Sequence, residues 1–116
     1  MKSRPVERNR EDRVEFLGEQ DGLGERELKV ELTKWLSGDH RVRRAYLAKV
    51  GFQPGAAPSV ALCVLSTNPD PALIKGAAAI FGRLFATGNH LDVLFITQAQ
   101  DEDVRRVCLP FYEGST

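Results

Sequence analysis

The sequence predicts a single α+β domain. Its expected form is a four-stranded, mainly antiparallel sheet with two helices on one face, in the ferredoxin-like chain order β-α-β-β-α-β, plus a short C-terminal helix. Three observations carry this. Two stretches repeat apolar residues at helical spacing, four shorter ones are apolar or alternating at strand length, and 116 residues fit one domain. Apolar residues make up 42% of the chain and charged residues 28%, an ordinary globular balance that supports a core without cross-links.

Residues 1–13 hold five basic and three acidic side chains and one aliphatic, Val6. They bury too little to offset the entropy of ordering, so a charged flexible tail is expected there, with one domain over 14–116. "VEFLG" (14–18) alternates apolar and polar residues and reads as a short strand. "DGLGERELKVELTKWLSGDH" holds the clearest helix, with Leu28, Leu32, Trp35 and Leu36 on one stripe and Ser37-Gly38 as its stop. In "RVRRAYLAKVGF" (41–52), Val42, Tyr46, Ala48, Val50 and Phe52 share one face, and Arg43, Ala45, Leu47 and Lys49 the other.

"SVALCVLS" is apolar on both faces, the mark of an interior strand, and the short loop before it predicts an antiparallel hairpin. Asp70-Pro71 opens the second helix, whose stripe is Leu73, Ala77, Ile80, Phe81 and Leu84, with Gly88-Asn89 as its close. Gly76 and Gly82 lie inside this helix, where each costs about 1 kcal/mol against alanine; close helix-to-sheet approach is their expected use. "LDVLFIT" is the last clear strand. "QDEDVRRVC" is a short helix capped by Asp101 and ended by Pro110. A ferredoxin-like sheet places the first strand centrally, yet "VEFLG" is the least apolar of the four, so both a central and an edge position stay open and the strand order is not fixed by the sequence.

The composition excludes several function classes. Net charge is zero, so no bulk field points to nucleic acid or an anionic membrane. No apolar run approaches the ~20 residues needed to cross a bilayer, and the charged N-terminus has no signal-peptide core, so a cytoplasmic protein is expected. His40, His90, Cys63 and Cys108 lack metal-ligand spacing, so neither a metal nor another cofactor is expected. Cys63 sits in an apolar run and Cys108 near the C-terminal end of a helix; both read as small core residues rather than nucleophiles. The interior strand has no aromatic residue on which a base would stack, so RNA binding is not expected. Arg41, Arg43, Arg44 and Lys49 form a basic cluster suited to phosphate or an acidic partner. No residue set converges as a catalytic site.

The more informative feature is an apolar surplus. With two helices on one face, Leu47, Leu94 and Ile96 are expected on an open opposite face, and Leu109, Phe111 and Tyr112 follow the last helix as anchors. These six residues are the expected interaction site, for a protein partner or for self-association. The more ordinary reading folds Leu109, Phe111 and Tyr112 back on the chain's own sheet, with the terminal helix covering part of the open face.

"VEFLGEQDG", "RAYLAKV" and "LDVLFITQAQDEDVRRVCLPFYE" together resemble the C-terminal domain of the SseB family, the bacterial enhanced serine sensitivity proteins. The resemblance rests on Gly18-Glu19, Ala45-Tyr46-Leu47, Leu91 to Ile96 and Pro110-Phe111-Tyr112, over about residues 14–113. It implies no catalytic residue. It carries Pro-Phe-Tyr as a contact motif; the apolar surplus without polar convergence is what favours a non-enzymatic interaction or regulatory module. The alternative is a small thiol-dependent enzyme or regulator in serine or sulfur metabolism, using Cys63 or Cys108.

Overall fold

The computed structural model describes residues 14–38, 41–52, 57–85 and 91–114. The expected tail at 1–13, His40, His90 and the Gly88-Asn89 helix close lie outside the described residues. Along the chain come β1 (Glu15–Glu19), α1 (Leu23–Leu36), β2 (Val42–Gly51), β3 (Ser59–Ser66), α2 (Pro71–Leu84), β4 (Asp92–Phe95), α3 (Gln98–Arg105) and β5 (Tyr112–Glu113). The fold is α+β, as the periodicities predict.

The sheet order is β1-β2-β3-β4, so β1 lies at the edge and not at the centre, where a ferredoxin-like sheet would place it; its low apolar content suits a strand with only one neighbour. β1–β2 and β2–β3 are antiparallel. β3 and β4 are parallel because α2 carries the chain back between them, which makes the sheet mixed. β5 also pairs with β2, antiparallel, through Arg44↔Glu113 and Ala45↔Tyr112. β1 occupies the same edge of β2 further along, opposite Ala48 to Gly51. One side of β2 is therefore completed by two separate segments placed end to end.

Each helix forms where its sequence supports it. Asp70 caps α2 by accepting the Ala72 N–H at 2.9 Å, and Pro71 occupies the first turn where its missing N–H costs nothing. α3 starts earlier than its acidic run suggests. Thr97 accepts the Gln100 N–H at 3.1 Å, and the Gln100 side chain accepts the Thr97 N–H at 2.9 Å, a complete capping box. Asp101, expected as the cap, lies instead inside the helix and points inward.

Two cores flank the sheet. On one face Leu28, Leu32 and Leu36 of α1 and Leu73, Ala77 and Ile80 of α2 pack on Ala45, Leu47, Leu62, Val64 and Val93. On the other, Val104 of α3 and Cys108 pack with Tyr46, Ala48, Val50, Ala61, Cys63, Leu65, Leu94 and Ile96. Val42 does not share the face of Tyr46. A register shift between Val42 and Arg44 adds one residue to β2, and Val42 joins Ala45 and Leu47 under the helices.

α1 and α2 approach closely at two glycines. The Trp35 indole lies on Gly76, where any Cβ would collide with it, and Phe85 lies against Gly24. Gly76 thus serves helix-to-helix contact rather than the helix-to-sheet contact expected of it. Gly82 faces open space.

Candidate interaction surface

The surface begins at a buried polar cluster that fixes α3. Asp101 is fully buried, and its carboxylate accepts the Tyr46 O–H at 2.6 Å and two Arg44 N–H groups at 3.0 and 2.9 Å. Burial works to raise the Asp101 carboxyl, but the Arg44 and Tyr46 hydrogen bonds outweigh it and hold the group below its ordinary 3.8. Burial, then the bond to Asp101, pushes the Tyr46 phenol well above its usual range. The Arg44 guanidinium is raised chiefly by the Asp101 bond. The arrangement ties the middle of β2 to the first turn of α3. Its effect is positional: it sets where the chain leaves α3.

That exit is the seam between β1 and β5. The Leu47 carbonyl accepts the Gln20 N–H at 3.1 Å, and the Cys108 thiol donates to it at 3.5 Å. Next along β2, the Phe111 N–H donates to the Ala45 carbonyl at 3.0 Å. Leu109 sits between these contacts with its N–H toward Glu19 Oε1 at 3.4 Å. Glu19 is itself held by Lys29 at 2.8 Å, and Lys29 also reaches Asp21 at 2.9 Å. Desolvation works against the Lys29 charge, but the bonds to Glu19 and Asp21 win, and the ammonium is raised above 10.5.

The six expected interaction residues separate here. Leu47 is fully buried beneath α1 and α2, the face opposite to the one expected of it. Leu94 and Ile96 are buried in the second core, so α3 and its neighbours fill the face expected to be open. The reason is the Asp101 anchor, which draws α3 onto that face and presents Val104 to it. Phe111 and Tyr112 fold back, packing against the first core while the Tyr112 hydroxyl donates to the Leu36 carbonyl at 3.2 Å. Leu109 alone is displayed, at 72% exposure, with Val107 nearby at 41%.

The basic cluster also separates. Arg44 is spent on Asp101, and Arg41 pairs with Asp70 at 2.9 Å. Arg43 and Lys49 are exposed. Both cysteines are free and buried. Burial raises the Cys63 thiol strongly and pushes Cys108 up to about 11, which favours the protonated form of both. Among the described residues no group of acidic, histidine and cysteine side chains is placed to hold a metal, and no helix is long and apolar enough to cross a membrane.

Compared with known families, residues 25–113 match the model of the SseB protein C-terminal domain. The chain belongs to this family. No curated protein and no solved structure gives a significant match. The SseB C-terminal segment contains the Asp101 anchor, Leu109 and Pro110-Phe111-Tyr112, whereas β1 precedes it. The expected resemblance reached back to about residue 14; the family match starts at Glu25. The Asp101 cluster was hidden in the sequence because its members lie 55 and 57 residues apart. One signal was present: Thr97-x-x-Gln100 is a capping box, which moves the helix start back and frees Asp101 for another role.

Proposed function

We propose that this SseB C-terminal domain is a non-enzymatic protein-interaction or regulatory module that makes contact through the seam at its C-terminal Leu-Pro-Phe-Tyr. Leu109 is the anchor, and Phe111 and Tyr112 form its foundation. The observation that carries the reading is Leu109 itself: a large apolar side chain 72% exposed, on a backbone pinned between two sheet contacts. A pre-ordered apolar side chain binds without the entropic cost of fixing a loop first. Val107 adds apolar area beside it.

The test is light scattering over a concentration series for the full chain and for Leu109→Asp. A chain cut before Leu109 would also lose Phe111 and Tyr112 from the core, so the point variant separates docking from folding. Self-association through the seam raises the apparent mass of the wild type with concentration and leaves the variant a monomer. An identical rise in both excludes Leu109 as the anchor of that association. If both stay monomeric, the seam does not self-associate.

A further inference from the structure

We propose that the groove between α1 and α2 docks an acidic peptide segment carrying a large apolar side chain. The groove holds about 370 Å³ and is lined by Glu31, Lys34, Trp35, Gly76, Ala79, Ile80 and Arg83. Its shape follows from Gly76. Without a Cβ there, the Trp35 indole settles onto the backbone of α2, and the two helices leave a trough above it. Trp35 stays half-buried, and Ile80 and Ala79 continue the apolar wall. An indole beside a small aliphatic wall is the kind of pocket that receives a Leu or Phe side chain.

The rim decides the charge of the partner. Glu31, its one acid, is taken up by Lys34 at 3.4 Å. Arg83 is exposed and makes no ion pair among the described residues. The unbalanced charge at the groove is thus a guanidinium, whose planar fork suits a carboxylate. A cationic side chain would meet the unbalanced Arg83 charge, so a cation over the indole is disfavoured. The groove lies on the helical layer, and Leu109 on the β1/β5 edge of the sheet, so this site does not depend on the seam.

Trp35 is the only tryptophan in the chain, so its emission reports the groove directly. The probes are a blocked hexapeptide Asp-Glu-Phe-Leu-Glu-Asp, a twin with lysine at its four acidic positions, and a twin with alanine in place of Phe and Leu. With the full chain, the acidic apolar peptide should give a saturable change in emission. The two twins, and the acidic peptide with Arg83→Glu or Ala79→Glu, should bind at least about fivefold more weakly. Both substituted side chains are exposed, so these variants keep the fold. Leu109→Asp should bind the peptide as wild type does, which keeps this result separate from that of the seam. An equal response to the lysine twin, unchanged binding in Arg83→Glu, or no saturable response to the acidic peptide would overturn the proposal.

Discussion

Under α1 and α2, leucines from two helices and the branched side chains of three strands meet in a single apolar cluster. Under α3, smaller residues such as Ala48, Ala61, Cys63 and Cys108 fill the core, and a buried carboxylate with a tyrosine and an arginine completes the attachment. The first face is held by area removed from water, which is non-directional and tolerant of small displacements. The second is held in part by hydrogen bonds with fixed geometry, which place an eight-residue helix in one position despite its small apolar contribution. The difference suits their surroundings. α1 and α2 are long enough to be secured by burial alone, whereas α3 must deliver Leu109 to a defined point on the sheet edge.

The largest expected effect tests the apolar face. Leu32→Ala leaves a hole among fully buried side chains and should cost about 3–5 kcal/mol in denaturant unfolding, with little change in the acid limb of stability. Asp101→Ala breaks the polar attachment and should cost about 3 kcal/mol, at the low end for a buried pair because Arg44 keeps some exposure.

Here pH separates the two faces. Because the Asp101 carboxyl is lowered in the folded state, its contribution is complete above the ordinary value of 3.8 and is lost as pH falls through the folded value. Stability of the wild type should therefore fall below about pH 4, and Asp101→Asn should flatten that limb. A steep limb surviving in Asp101→Asn would show that other carboxylates carry it.

Thiol chemistry offers a sharper view of the second face. Ellman's reagent at pH 8 should find both cysteines silent in the native chain and reactive in denaturant. In Asp101→Ala, Cys108 should react before global unfolding, because the helix leading to it has lost its anchor. The Cys108 thiol is raised from 9.0 to about 11, so the stability tied to its protonated form is complete below pH 9 and lost as pH rises through about 11.

The smallest effects come from the two glycines of α2. Gly76→Ala forces the Trp35 ring off its seat and should cost about 1–3 kcal/mol, with a shift in tryptophan emission. Gly82→Ala meets open space and should add about 1 kcal/mol by helix propensity, leaving the emission unchanged. A stabilising Gly76→Ala would mean that the indole moves aside freely.

Much of the α1/α2 face was legible in the sequence, because Leu28, Leu32 and Leu36 and the stripe from Leu73 to Ile80 repeat at the helical period. The element order through α3 and the Asp70 cap were legible for similar reasons, since each depends on a few neighbouring residues, whereas the place of β1 in the sheet depends on which strand pairs with it. The far face was not. The extra residue near Arg43 moves Val42 to the opposite side of the sheet, and a single register slip leaves no composition signal. How completely α3 and Cys108 cover that face is not legible locally, since nothing near Asp101 indicates a tyrosine and an arginine on β2. Arg44 looked available for the same reason. In the candidate site, Leu109 is exposed while Leu47, Leu94 and Ile96 are buried, because exposure depends on which helix covers which strand.

The divided edge of β2 also bears on the order in which the chain assembles. The β2–β3 hairpin closes through a short connection, whereas Tyr112 reaches its Leu36 partner across 76 residues of chain. Loop-closure entropy places the local pairing early and makes β5 a late arrival that requires β2 and the end of α1 to be in place. A two-residue strand added last is also the first to leave. The Gly114 amide hydrogen should therefore exchange through local fraying, well ahead of those that pair β2 with β3. Fraying from that end stops short of Leu109, which the Phe111 and Cys108 contacts hold against β2.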